Sequence, residues 1–447
     1  MILWIYLFRG QRRTASHKSR EDESILRVRG SIGAETLISA AVRRGLGLAL
    51  AWFAIWLCLG TTAWAENAPA PLRRGINMGD YLAYPTDAQW PIFRGPRAAT
   101  SDDELGRLAD AGFDFVRLAV EPSPFLDRSP GEVQAMEQRL VSIVRRITAT
   151  GMRVMISGWA RHETTPRWRS AQIVAARDSP ELRSYIGFLK RIVVLLADVP
   201  QDRWVLEPMN EPQALCWRTD GPDWTIIQRD IYKELRAIAP NLTIVLTPGC
   251  WSKIEGLEHL EMAGYDARTL VDVHFYDPYT FTHQSATWGD EWIKYLAGLS
   301  FPPVLTDRQA ATDASARLFQ ARQGQGGAAA FVETLRKIDV YMKENIDPER
   351  IGQTFNVLAA WAQRHKVSAD RIIVGEFGAY RQPKEARAPD NGSRQRWFET
   401  VRKAAEARKF GWALYAYHSD FGLITDDAKA AWDDTMVPAL GLTVPGR

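Results

Sequence analysis

Eight strand-type runs along residues 73–440 predict one fold class, a single (β/α)8 TIM barrel with a long insertion after the sixth strand. Three observations support it. The runs are short, continuous and apolar, as strands covered on both faces are. Helical segments fall between them, which argues for a parallel sheet, and eight units in one body favour a closed barrel over an open doubly wound sheet. No GxGxxG follows the first run and no GxxxxGK[ST] occurs anywhere, so the nucleotide-binding form of an open sheet has no support.

Taken in order, residues 66–72 are a Pro/Ala tether and Gly75–Gly79 is the first strand. Ser101 with Asp102, Asp103 and Glu104 behind it is a helix N-cap with an acidic first turn, and that helix stops at Gly112. Phe113–Val120 is the second strand. An amphipathic helix over Val133–Thr150 ends at Gly151, and Met152–Trp159 is the third strand. Glu181–Ala197 is helical and the fourth strand starts at Trp204. Trp224–Ile238 is a helix, and Asn241–Gly249 and Leu270–Pro278 are the fifth and sixth strands. The rhythm then breaks. Residues 279–349 are an insertion over the sixth strand end, with a Gly/Gln/Ala patch at Arg322–Ala330 and a helix at Phe331–Glu344. Ile351–His365 is the next barrel helix, Arg371–Gly378 the seventh strand, and Ser393–Ala407 a helix. Gly411–His418 is the eighth strand, and Asp426–Trp432 begins the last helix.

The formal charge of +3 hides an asymmetry. Residues 1–65 carry a net +5, which leaves the remainder at −2 with no global attraction for nucleic acid. That first stretch reads as a targeting segment. Arg43-Arg44 precedes an apolar run from Gly45 to Gly60, and Ala63-Trp64-Ala65 supplies a small-residue cleavage pattern. Cleavage after Ala65 makes the protein secreted or periplasmic; an uncleaved anchor over 45–65 is the alternative. Cys58 leaves with the signal. Cys216 and Cys250 follow consecutive strand ends, and a disulfide and two free thiols are both open. There is no CxxC and no HExxH, so no metal is expected, and nothing calls for a cofactor or a protein partner.

The chemistry concentrates at two strand ends. WVLEPMNEP delivers Glu211 behind Asn210, and RIIVGEFGAY delivers Glu376 between Gly375 and Gly378. In a βα-barrel, C-terminal strand ends face the active site. Glycosidic cleavage needs one protonated carboxyl for the leaving oxygen and one ionised carboxyl as nucleophile or base. A lone glutamate there is more often a salt-bridged structural residue; two at matching positions reverse that.

With these motifs in place the chain resembles glycoside hydrolase family 5, the cellulase and mannanase family, over roughly Arg74 to Leu423. The resemblance implies that Glu211, in Asn210-Glu211-Pro212, is the acid/base and that Glu376, in Gly375-Glu376-Phe377-Gly378, is the nucleophile. It implies that Arg117 on the second strand keeps Glu376 ionised. Tyr276 would bond the nucleophile, and His274 would position the acid/base and substrate. Two departures stand out. Trp159 occupies the third-strand position where a substrate-lining His is usual, so that role falls to His162 or to the Trp159 face. The eighth strand offers Tyr415 or Trp412 as the sugar platform. Trp217, Trp251 and Trp288 follow strand ends and suit stacking on pyranose rings.

The expected function is a secreted retaining hydrolase of a β-linked polysaccharide, with a β-1,4-glucan first. β-Mannan, β-1,3-glucan and an exopolysaccharide are alternatives using the same core residues. A non-catalytic carbohydrate-binding barrel is the rival from another class, and it conflicts with the presence of both glutamates. A phosphate-ligand isomerase would need a Gly-rich phosphate loop after the seventh or eighth strand, which GEFGAY matches poorly.

Overall fold

Every strand of the central barrel is parallel to its neighbours, and the ring closes in sequence order. The strands are β1 (Arg74–Met78), β2 (Phe115–Val120), β3 (Arg153–Gly158), β4 (Trp204–Glu207), β5 (Thr243–Leu246), β6 (Thr269–His274), β7 (Ile372–Phe377) and β8 (Gly411–Leu414). The computed structural model describes residues 69–444 apart from 86, 88, 161–165, 214–222, 323–326 and 388–391. The expected leader, both its cleavage and its anchor versions, lies outside the described residues, as do His162, Cys216 and Trp217. Among the described residues no helix is long and apolar enough to cross a membrane.

The barrel interior is filled in layers, as the period of two along each strand requires. At the bottom Leu72, Phe115, Met155, Val205, Val245, Leu270, Ile373 and Ala413 form one buried apolar cluster, a residue from each strand or from just before it. The Phe115 ring fills the space where Gly75 has no side chain; a Cβ there would lie 2.3 Å from the ring. Two residues further along the strands the interior turns polar, with Asn77, Arg117, Ser157, Glu207 and Asp272 all buried. The alternate residues, such as Val116, Leu118 and Ile156, face outward into the larger core shared with the helices.

That outer layer is formed by α1 (Asp102–Ala111), α2 (Pro130–Ala149), α3 (Pro180–Leu195), α4 (Trp224–Ile238), α5 (Arg308–Ala321), α6 (Gly327–Glu344), α7 (Pro348–Arg364) and α8 (Ser393–Glu406). Ser101 caps α1 in a capping box with Glu104, and Gly112 ends it in the left-handed conformation at φ 104°. Between β5 and β6 there is no long helix; a 3-10 segment, Ile254–His259, takes its place. The insertion holds α5, which the sequence reading missed, although Asp307 caps it through the Ala310 N–H.

One expectation fails outright. Asp426–Trp432 does not begin a helix but forms a hairpin, β9 (Ile424–Asp426) against β10 (Ala431–Trp432). The Asp426 carboxylate accepts the N–H groups of Ala428 and Lys429, and Ala430 is left-handed at φ 45°, which turns the chain back. The last helical turn is Met436–Ala439.

Candidate active site

The C-terminal ends of the strands open into a cavity of about 1080 Å³. Glu211, Glu376, His274, Tyr276, Trp159 and Tyr415 all line it. β4 ends at Glu207, and the chain beyond it is pinned to β3 by the Asn210 N–H, which donates to the Gly158 carbonyl at 2.8 Å. Glu211 follows in the left-handed region at φ 43°, a conformation that costs energy in a residue with a side chain. Glu376 reaches the same floor from β7, whose register against β6 shifts between Val273 and His274. The shift is accommodated by Gly375, where a Cβ would meet the Asp272 carboxylate at 2.1 Å.

Arg117 is fully buried and organises the floor. Its Nε and Nη2 grip Glu207 at 2.9 and 2.8 Å, a two-pronged pairing suited to guanidinium. Nη1 donates to Glu376 Oε1 at 2.7 Å and to Asn77 Oδ1 at 2.8 Å, and Nη2 donates to Asn210 Oδ1 at 2.8 Å. Burial alone would lower the Arg117 pKa, but Glu207, Glu376 and Asp272 together raise it well above its ordinary value. Burial pushes the Glu207 carboxyl up, against the pull of Arg117.

The Tyr276 hydroxyl donates to Glu376 Oε2 at 2.8 Å. His274 Nδ1 lies 3.1 Å from Glu211 Oε1 and 3.6 Å from Glu376 Oε2. Burial would lower the His274 pKa, yet Glu376, Asp272 and Glu211 push it up to about 10. One oxygen of Glu211, one ring nitrogen of His274 and one oxygen of Glu376 lie within 4.8 Å of one another. The Asn210 amide nitrogen beside them is buried without a partner.

Grouped ligand-type atoms also occur at Glu207, Asp272 and His274. Arg117 bonds directly to a member of each group, so a cation placed there would face a guanidinium.

The remaining expectations divide. Trp159 stacks on Tyr415 at 6.3 Å with planes 7° apart, and Tyr415 shares a 3.0 Å hydroxyl contact with Tyr84. Trp251 and Trp288 are exposed on the cavity rim. Trp412 is not in the cavity. It is fully buried against Phe113 and Phe377, with its indole N–H on Glu406, because its neighbour Ala413 is the residue of β8 that faces inward. Cys250 is disulfide-bonded. Sequence reasoning missed Asn77, Glu207 and Asp272. Their signal was a polar residue two places from another inward-facing one inside an apolar run.

A model of the cellulase family, glycosyl hydrolase family 5, matches residues 84–420. Endoglucanase 3 of Fibrobacter succinogenes is 20% identical over 372 residues, 80% of this chain and 51% of that protein, so the chain spans about half of its length. Endoglucanase C of Acetivibrio thermocellus is 21% identical over 368 residues, 80% of this chain and 94% of that one. Among solved structures, Thermotoga maritima Cel5A with cellobiose aligns at a TM-score of 0.60 and 22% identity, covering 84% of this chain and 99% of that one. A complex of the same protein with mannotriose aligns equally well. At that identity the likeness shows a shared barrel.

Proposed function

The chain belongs to the cellulase family, glycosyl hydrolase family 5, and is a glycosyl hydrolase of the endoglucanase type; from that premise we propose that it cleaves a β-1,4-glucan by double displacement. The observation that carries the proposal is the approach of Glu211 and Glu376 to within 4.8 Å, oxygen to oxygen, on the cavity floor. Retaining enzymes keep their carboxyl groups about 5–5.5 Å apart, whereas inverting ones leave about 6.5–9.5 Å for a water.

In this reading Glu211 protonates the leaving oxygen while Glu376 attacks the anomeric carbon. Arg117 and Tyr276 each donate to one oxygen of Glu376 and hold it aimed. The glycosyl-enzyme is then hydrolysed by water that Glu211 activates as base. The Asn210 amide nitrogen, which has no partner in the fold, is our candidate donor to a sugar hydroxyl, and Tyr415, half-buried on the cavity wall against the buried Trp159, is our candidate ring for the pyranose.

The names of the relatives favour glucan as substrate. A β-mannan is the second reading, because Thermotoga maritima Cel5A has been solved with mannotriose as well as cellobiose. Export also belongs to the proposal, supported by the run ahead of Ala63-Trp64-Ala65. Sequencing of the protein recovered from its own cells should give Glu66 as the first residue; a start upstream of Gly45 would remove the cleaved-leader reading.

The test is hydrolysis of a panel of soluble β-glucans and β-mannans by residues 66–447, with NMR of the first-formed anomer. Glu376→Gln should lower turnover by at least about a thousandfold. Inversion at the anomeric carbon would end the double-displacement assignment. Binding without cleavage by both proteins would favour a carbohydrate-binding barrel.

A further inference from the structure

The loop after β5 takes a conformation that its residues do not favour. Cys250, Trp251 and Ser252 all lie in the left-handed region, at φ 59°, 56° and 57°. None of them is a glycine or an asparagine, which visit that region at less cost. One such residue with a bulky side chain is already an outlier, and three in a row persist only where the surroundings hold them.

Those surroundings can be named. The Trp251 N–H donates to the Pro212 carbonyl at 3.3 Å, which ties the turn to the residue that follows Glu211. Lys253, just past the turn, forms a parallel bridge with His274. The chain then folds back so closely that a Cβ on Gly256 would lie 2.4 Å from the Gly249 carbonyl oxygen. Cys250 is 3% exposed and disulfide-bonded. In residues 66–447 the one other cysteine is Cys216, in the stretch between β4 and α4. Trp251 is its opposite. It is 39% exposed and lines the same cavity as Glu211.

We infer that Cys250 is a positioning residue: its disulfide locks the left-handed turn that presents the Trp251 indole to the part of the glucan beyond the cleaved bond. The inference rests on the glycosidase reading above. In that reading Glu211 protonates the leaving oxygen, and the Pro212 contact sets Trp251 on the Glu211 side of the cavity, so the ring it meets belongs to the leaving chain. A change of φ from positive to negative at any of the three residues redirects the indole. Stacking on a pyranose holds ground state and transition state alike, so it acts on KM more than on kcat. The bridge needs an oxidising compartment, which agrees with export.

Cys250→Ala removes the bridge and leaves a Cβ that disfavours the left-handed turn. On a long β-1,4-glucan its KM should rise about three- to tenfold, with kcat changed by less than about twofold, and Trp251→Ala should do the same. The double variant should be no worse than Trp251→Ala, because without the indole the bridge has nothing to place. A bridge serving stability alone would lower the melting temperature and leave KM where it was. An unchanged KM in Cys250→Ala, or KM effects that multiply in the double variant, overturn the inference while cleavage by the wild type leaves the proposed function standing.

The turn can also be followed without substrate. Cys216→Ala opens the bridge from its other end and leaves the turn's own residues untouched, and dithiothreitol does so in the wild type. With 5-fluorotryptophan incorporated and the Trp251 signal assigned through Trp251→Phe, fluorine NMR should show one sharp resonance in the oxidised wild type and a shifted or divided one once the bridge is open. An unmoved resonance sinks the inference even if Cys250→Ala fails to fold. A moved resonance in a protein that cleaves no glycan would support the positioning of Trp251 and count against the proposed function alone.

Discussion

Glu376 is held from two sides, Oε1 by Arg117 and Oε2 by the Tyr276 hydroxyl. Hydrogen bonds to ionised groups contribute about 1.5–3 kcal/mol, so Tyr276→Phe should lower kcat/KM roughly tenfold to a hundredfold with the circular dichroism unchanged. A loss below about threefold would mean that the hydroxyl does not serve the nucleophile. At this scale the sequence exposes some residues and hides others. Glu211 and Glu376 are legible because each ends an apolar run and has Pro or Gly just beyond it. Glu207 and Asp272 are not, because a charge inside a strand declares its purpose only through a partner, and the partner of Glu207 lies 90 residues away. Trp412 misleads for a related reason. Which side of a strand faces the cavity depends on register against its neighbours, which local pattern does not encode.

Strand ends concentrate the unusual chemistry, and β2 has its own case. Glu121 directly follows it, fully buried, with Oε2 accepting the Ser123 N–H and hydroxyl and Oε1 without a partner. Burial pushes its carboxyl from 4.5 up to about 7. Between those values the folded chain keeps a proton that the unfolded chain has released, so stability falls as pH rises through that window and stays lower above it. Glu121→Gln is neutral throughout. Its stability should equal the wild type near pH 4.5 and exceed it at pH 8 by up to about 3 kcal/mol, measured by urea unfolding. A difference of the same size at both pH values would show that packing, not protonation, is responsible. The misread hairpin at β9–β10 belongs to this scale too. An aspartate accepting N–H groups two and three residues on is the local signature of both a helix N-cap and a turn. Only the left-handed Ala430 decides between them, and nothing in an alanine announces that conformation.

The cavity is the property of the whole molecule, since its lining runs from Asp80 and Tyr84 after β1, past the glutamates, to Trp251 and Tyr279 after β5 and β6. Trp288, contributed by the insertion and exposed at the rim, should matter more for holding a chain than for breaking it. Trp288→Ala should raise KM on a glucan about three- to tenfold and lower kcat by less, in line with the contribution of one aromatic face. An unchanged KM would remove the insertion from substrate binding. The barrel itself is legible from the count of apolar runs, whereas α5 is not, because its buried face is mostly alanine and serine. Arg117 also has a meaning for the molecule as a whole. Through Asn77, Ser157, Glu207, Asp272 and Glu376 one guanidinium joins five strands to its own, six of the eight in the ring. Zipping the ring shut and arming the nucleophile are therefore one event. A chain caught with any of those seams unfastened would be silent however much helix it retained, which makes turnover a yes-or-no gauge of whether the circle is complete.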